Sequence, residues 1–248
     1  MTEKFLVPVY LPRWLHAPIR KVKRAVIPAA VAQTGQIDIS GERNVEWSFL
    51  SAEMPSGPGE AFEFGCEHGY MSLLAAQRGF HVVANDLQEQ TFTWQHPGVD
   101  FLLGDFLNLQ IPKNHFDLVI NCSSVEHVGI AGRYGIDADD NDGDLDVMRR
   151  MIEILKPSGT LLMTAPCGTD AVLRPWCRVY GRERLPRLFA GLKIARQAFW
   201  VKNSTNRWQA CSSDEALSFE PRNDRSNPHG CAYALGCFVL HKAAATSS

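Results

Sequence analysis

Apolar residues in the middle of this chain fall in short runs, each closed by a glycine, a proline or an acid. Between the runs lie stretches in which apolar positions return every three to four residues. That alternation predicts strands buried on both faces and joined by helical crossovers, an α/β architecture with a mostly parallel sheet. The clearest unit is AFEFGCEHGYMSLLAAQRGFHVVAND, Ala61 to Asp86. It reads as an apolar run ending at Phe64, a loop with Gly65 and Gly69, a helical pattern from Tyr70 to Arg78, and a second run from Phe80 to Ala84 closed by Asp86.

The flanking segments extend the pattern. Upstream, GERNVEWSFLSAEMP places Val45, Trp47, Phe49 and Leu50 on a mixed pattern that suits a short helix, and Pro55, Gly57, Pro58 and Gly59 turn the chain into the core unit. Downstream, strands are predicted at Val99–Leu103 and His115–Asn121. The spacing of Leu145, Met148, Met151, Ile152 and Leu155 predicts a helix ended by Lys156, Pro157 and Gly159, with a strand at Thr160–Ala165. Leu192 to Trp208 and Ala232 to His241 supply two further strands near the C-terminus. The polar stretch from Gly129 to Asp146 has an acid spacing like that of a calcium loop. With Gly143 as the sixth position, however, Ala138 and Arg149 fall where the first and last ligands belong. No metal site is expected, and Asp144 is expected to cap the following helix.

The loop between Phe64 and Tyr70 is the first candidate for chemistry. A helix that starts directly after it leaves backbone N–H groups without partners and favours an anionic ligand there. Asp86, about 20 residues on at the tip of the next strand, is placed to take both hydroxyls of a ribose. A dinucleotide fingerprint needs glycine at the first, third and sixth loop positions, which here hold Gly65, Glu67 and Tyr70. A nicotinamide oxidoreductase is therefore disfavoured. The order Glu63, Gly65, Gly69, followed by Asp86, resembles the first two motifs of class I S-adenosylmethionine (SAM)-dependent methyltransferases. That resemblance implies a Rossmann-like, mostly parallel seven-stranded sheet with an antiparallel C-terminal hairpin and helices on both faces. It also implies SAM as the cofactor, held by Glu63, Gly65, Glu67, Gly69, Asp86, Leu87, Asp105, Phe106, Asn121 and Cys122. Glu67 stands where most such loops carry a small residue, and a carboxylate there can repel the methionine carboxylate or bond the ammonium.

After strand four, SSVEHVG again resembles this superfamily, several members of which have Glu-His at the start of the next helix. Ligands of parallel sheets sit at the carboxyl ends of the strands, so Asn121, Ser123, Glu126 and His127 are expected around the transfer centre. Histidine's unperturbed pKa lies near neutral pH, so His127 is the candidate base, with Glu126 orienting or polarising it. Taken together, EHVG, GRYG, DGDL and RVYGRERLP resemble a methyltransferase-like family of unknown function, over roughly Gly65 to Phe189. Arg133, Tyr134, Asp170, Arg178 and Tyr180 are candidates for binding a hydroxylated acceptor, unless the arginines pair with the acids of residues 137–146 as loop staples. The expected reaction is O-methylation of a small-molecule or sugar/glycan acceptor, as in polysaccharide or natural-product biosynthesis. The competing expectation, motivated by Glu67, is a catalytically inactive binding or scaffolding subunit.

Bulk properties narrow this picture. A chain of 248 residues with 45% hydrophobic composition can bury one full core. The expected division is an N-terminal extension or lid at 1–56 and a catalytic domain at 57–248. A net charge of −2, mixed in sign, leaves no footprint for nucleic acid. Seven cysteines without a CxxC pair suit free thiols in a cytoplasmic protein. Within the extension, Arg13, Arg20, Lys21, Lys23 and Arg24 alternate with Trp14, Leu15, Ile19, Val22, Val26 and Ile27. Such a segment makes weak contact with an anionic membrane surface or serves as a packing arm. The sequence leaves the oligomeric state open.

Overall fold

The computed structural model describes residues 41–132, 134–203, 207–224 and 231–243. The basic N-terminal segment and Arg133 lie outside the described residues. Eight strands form one sheet: β1 (Gly59–Phe64), β2 (Phe80–Asp86), β3 (Val99–Leu103), β4 (Phe116–Cys122), β5 (Leu155–Cys167), β8 (Leu192–Lys202), β9 (Trp208–Cys211) and β12 (Ala234–Lys242). Their order across the sheet is β3-β2-β1-β4-β5-β12-β8-β9. The first five positions pair in parallel. The strand β12 then pairs antiparallel with both β5 and β8, and β9 pairs antiparallel with β8. The expected sheet of seven strands thus gains an eighth, because the chain after β8 turns back and lays Trp208–Cys211 along what would have been an open edge.

Helices cover both faces. On one face, α1 (Arg43–Glu53) and α2 (Tyr70–Gln77) bury Phe49, Leu50, Met71, Ala75 and Ala76 against Leu118, Ile120, Leu162 and Leu235. On the other, α3 (Gly143–Ile154) lays Val147, Met148, Met151 and Ile154 over Phe62, Val119, Leu161, Met163 and Phe238. Strand residues of alternate parity feed the two clusters, which is why β4 and β5 read as continuous apolar runs. The strand β5 starts at Leu155, earlier than expected. Leu155 pairs with Phe116, and after an irregularity the register resumes at Leu118 with Thr160. Pro157 and Gly159 therefore interrupt the start of a strand, not the end of a helix.

Two small hairpin pairings sit beyond the sheet. They join β6 (Ala171–Leu173) to β7 (Cys177–Val179), and β10 (Arg222–Asn223) to β11 (Cys231–Ala232). Short helices α4 (Arg184–Leu188) and α5 (Ser213–Leu217) complete the described elements. Asp144 departs from its expected role. The residue before α3 is Asp142, whose side chain makes no capping bond, and Asp144 is fully buried. Its carboxylate accepts from Arg184 Nε at 2.9 Å and lies 3.7 Å from Arg178 Nε. Arg178 is itself buried and donates to the carbonyls of Val128, Gly129 and Asp140. The acid-rich loop is thus pinned by two arginines through one carboxylate.

Removing one member of a buried ion pair strands the others without compensation. Asp144→Ala is expected to destabilise the protein by about 3 kcal/mol in urea unfolding. The Arg182–Asp214 pair is exposed, and Asp214→Ala is expected to cost less than about 1 kcal/mol.

Candidate functional site

Strand order reverses at β1, whose neighbours β2 and β4 lead the chain to opposite sides, and the crevice at their carboxyl ends is where a ligand fits such a sheet. The loop from Gly65 to Gly69 lines it, and both glycines sit at φ +65°. A Cβ on Gly65 would lie 2.5 Å from Ser124 Oγ, and one on Gly69 would lie 2.8 Å from the Trp94 ring. Trp94 stacks on Phe92 at 4.7 Å and donates its indole N–H to the His68 carbonyl at 3.0 Å. The loop is therefore clamped from outside by the chain after β2. Glu67 is also left-handed, at φ 46°; its N–H donates to Asp86 Oδ2 at 3.0 Å, while Asp86 Oδ1 accepts from Gln88 N–H. That tie joins the loop to the tip of β2.

Glu63 lies beneath the loop, buried, and accepts from the backbone N–H of Ser72 at 2.8 Å and from its hydroxyl. Burial pushes its carboxyl up to about 7 despite those two bonds. The opposite wall comes from α1, a contribution the sequence reading missed. Arg43 and Trp47, one turn apart, line the pocket with Glu63, Glu67, Tyr70 and Cys122. Arg43 donates to Glu46 at 2.8 Å and to the Cys122 carbonyl, and its guanidinium lies 3.8 Å from Glu67. Burial opposes the charge on Arg43, but Glu46 beside it holds the guanidinium's pKa above its ordinary value. Glu46, fully buried, also accepts from the hydroxyls of Ser123 and Thr164, the latter at 2.9 Å. The signal for this was present in the sequence: Glu46 lies three and four residues before Phe49 and Leu50, on the apolar stripe of its helix.

Next to this pocket, a single 3-10 turn over Val125–His127 follows β4. Asn121 holds its start by accepting the Val125 N–H at 3.1 Å. His127 Nδ1 lies 2.8 Å from the Trp176 carbonyl. A carbonyl only accepts, so Nδ1 carries the proton and Nε2 the lone pair in the neutral ring. It is thus Trp176, on the turn between β6 and β7, and not Glu126, that orients the imidazole. Glu126 is on the Nε2 side, its Oε1 at 3.9 Å. The carboxyl is 2% exposed, its Oε2 has no hydrogen-bond partner among the described residues, and burial pushes it up to about 8. The Tyr134 ring lies 6.0 Å from that of His127 and is exposed.

The remaining expected site residues are placed as follows. Leu87 is exposed at the tip of β2. Asp105 caps its own turn, accepting from Leu107 N–H and the Asn108 amide, while the Phe106 side chain packs into the core beside Phe62 and Phe64. Cys122 is buried against Glu46. Asp170 accepts three backbone N–H groups, from Gly181, Glu183 and Arg184, at the start of α4. Arg178 is the loop staple already described, and Tyr180 is fully buried beside β5. The side chains of Asp170 and Arg178 are thus bonded within the fold, Tyr180 is packed with its hydroxyl unpartnered among the described residues, and of the described acceptor candidates Tyr134 is the one placed beside His127. Among the described residues no group of three or more His, Cys, Asp or Glu could hold a metal.

The raised carboxyls make stability depend on pH. An unfolded glutamate releases its proton near 4.5, whereas Glu126 in the fold keeps its proton to about 8, so the folded state binds more protons between those values. Stability therefore falls as pH rises through that window, at up to about 1.4 kcal/mol per pH unit for this group. Chemical denaturation of the wild type and of Glu126→Gln from pH 5 to 8.5 should show the wild type losing several kcal/mol relative to the variant. A constant difference would mean that the carboxyl is ionised in the fold at neutral pH.

Comparisons with known proteins bear on the fold and the family. The chain resembles the 1,6-didemethyltoxoflavin-N1-methyltransferase of Burkholderia thailandensis, solved with S-adenosylhomocysteine, with a TM-score of 0.51, 14% identity, and 96% and 92% of the two chains covered. It resembles the N-methyltransferase NodS of Bradyrhizobium japonicum WM9, also solved with S-adenosylhomocysteine, with a TM-score of 0.52, 18% identity, and 81% and 86% covered. The fold is that of class I SAM-dependent methyltransferases. A probable S-adenosylmethionine-dependent methyltransferase of Mycolicibacterium smegmatis is 24% identical over 166 residues, and the match spans 60% of each chain. Residues 81–217, more than half of the chain, match the family described as Caenorhabditis protein of unknown function, DUF268, and the chain belongs to that family.

Proposed function

We propose that this protein is a SAM-dependent methyltransferase acting on a small-molecule acceptor whose nucleophile gives its proton to His127. The observation that carries the proposal is the convergence, at the carboxyl ends of β1, β2 and β4, of the glycine loop, Asp86 and the Glu126–His127 turn. The residues fit the cofactor. Asp86 keeps lone pairs for ribose hydroxyls beyond the two N–H bonds it accepts. Arg43 offers a cation for the methionine carboxylate, and Glu67, half-turned toward Arg43 and largely exposed, offers an anion for the ammonium. The bound group would supply a methyl on a sulfonium. Glu67 thus pairs across the pocket instead of closing it, which speaks against a purely scaffolding role.

The protein's own part is to orient and to accept a proton. With Nδ1 tied to the Trp176 carbonyl, Nε2 is the basic nitrogen, and Tyr134 stands at the same mouth. A hydroxyl on a small molecule or sugar is one acceptor class that such a base serves, and an amine is the other. Six of the seven free cysteines are buried, which supports a reducing, cytoplasmic setting. No helix among the described residues is long and apolar enough to cross a membrane.

Calorimetric titration tests the reading. SAM and S-adenosylhomocysteine are expected to bind with micromolar affinity, NAD is not, and Asp86→Ala should abolish both adenosyl signals. His127→Ala should keep S-adenosylhomocysteine binding while turnover falls about 10²–10⁴-fold. Wild-type protein that binds neither ligand would sink the methyltransferase reading.

A further inference from the structure

Within the proposed methyltransferase reading, the site has a feature that a base alone does not explain. The Glu126 carboxyl is buried beside the basic nitrogen of His127, and its Oε2 has no partner among the described residues. An unsatisfied buried polar atom costs about 1–3 kcal/mol, and Glu126 Oε2 shares that state among the described residues with Asn121 Nδ2, Arg150 Nε and the Tyr180 hydroxyl; Glu126 is set apart by its other oxygen, 3.9 Å from the His127 ring nitrogen. Among the described residues the charged and titratable groups around it are Glu42, Arg43, Glu46, His127, Cys167 and Tyr180. The one guanidinium in that set is already divided between Glu46 at 2.8 Å and Glu67 at 3.8 Å. Among the described residues Glu126 is left without a cation of its own.

Geometry then favours one kind of nucleophile. Nε2 and Oε1 are 3.9 Å apart, too far to bond each other. One atom at about 2.8 Å from both would see them at an angle of about 90°, close to that between two bonds on a tetrahedral centre. A primary ammonium or amine carries two or more N–H bonds and donates to both acceptors at once. A hydroxyl carries one hydrogen. It could donate to His127 only while accepting from a neutral Glu126 carboxyl, which leaves the acidic surroundings uncompensated. Rotation of the carboxyl about its last torsion presents either oxygen to the same point.

We propose that Glu126 and His127 together form a receptor for an amine-bearing acceptor, and that the protein methylates nitrogen. The acceptor enters as an ammonium, against which Glu126 is ionised. One N–H proton passes to His127 Nε2, leaving a lone pair on nitrogen. That pair forms the new N–C bond while the C–S bond of the sulfonium donor breaks and its electrons return to sulfur. The products are a methylated ammonium and a neutral thioether, and His127 releases its proton to solvent. Charge balances: two cations enter, and one cation and one proton leave.

The test reads the ionisation of Glu126 directly and does not depend on turnover. In protein carrying ¹³C at its glutamate carboxyls, the Glu126 resonance is assigned by its disappearance in Glu126→Gln and followed at pH 7. Ethylammonium chloride, the probe, should move it to the ionised position. Ethanol at the same concentration, and sodium chloride at the same ionic strength, should leave it neutral. His127→Ala should weaken the ethylammonium response several-fold without changing the fold. A carboxyl that stays neutral at the highest ethylammonium concentration would overturn the amine receptor, as would an equal response to sodium chloride. Titration of the same sample with S-adenosylhomocysteine separates the two readings. Failure there would remove the methyltransferase function, while the carboxyl shift still reports on the receptor.

Discussion

A parallel sheet whose chain order reverses must leave a crevice, since the connections from β1 to β2 and from β3 back to β4 run to opposite sides and neither crossover fills the gap between β1 and β4. Among the described residues, the glycine loop, Asp86, Arg43, Glu46 and the Glu126–His127 turn gather at the carboxyl end of that gap. The backbone there must turn sharply, which places Gly65, Glu67, Gly69 and Ser123 in the left-handed region. Residues in such conformations are strained unless their surroundings fix them. Here they are fixed by Asp86, by the stacked Phe92 and Trp94, and by Glu46 reaching in from α1.

The fold was legible because its signals are local and repeated. Phe80 to Ala84 and Phe116 to Cys122 are apolar runs of strand length, and Tyr70 to Gln77 carries a helical pattern between glycines. Such patterns report burial on both faces of a sheet, a property of each segment by itself. The eighth strand was not legible for the converse reason. Trp208–Cys211 is short and mostly exposed on a sheet edge, and only its pairing with Phe199–Lys202 makes it a strand.

The site was legible in part. Glu63, Gly65, Gly69, Asp86 and the Glu126–His127 pair stand at strand ends, where topology alone dictates convergence. Arg178, Tyr180 and Asp170 illustrate the limit, because a polar residue near a strand end serves a ligand in one protein and the loop beside it in another. Two of them are bonded within the fold, Arg178 to three loop carbonyls and beside Asp144, Asp170 to three N–H groups, while Tyr180 is packed in the core with its hydroxyl unpartnered among the described residues. Composition cannot tell these uses apart, since both require the same donors and acceptors. Burial can.

The same criterion separates two buried glutamates a short way apart. Glu46 is enclosed but satisfied, with a guanidinium and two hydroxyls on its oxygens. Its contacts span α1, β5 and the end of β4, so it acts as a structural pin that sets one wall of the pocket. Glu126 is equally enclosed but keeps an oxygen without a partner among the described residues, next to an imidazole whose tautomer is already set. A folded chain that can satisfy one buried carboxylate three times over could have supplied a single donor to the other. Under the amine-receptor proposal, the missing partner at the mouth of the crevice would be the acceptor's own nitrogen, and recognition and proton removal would be a single event at the same atom.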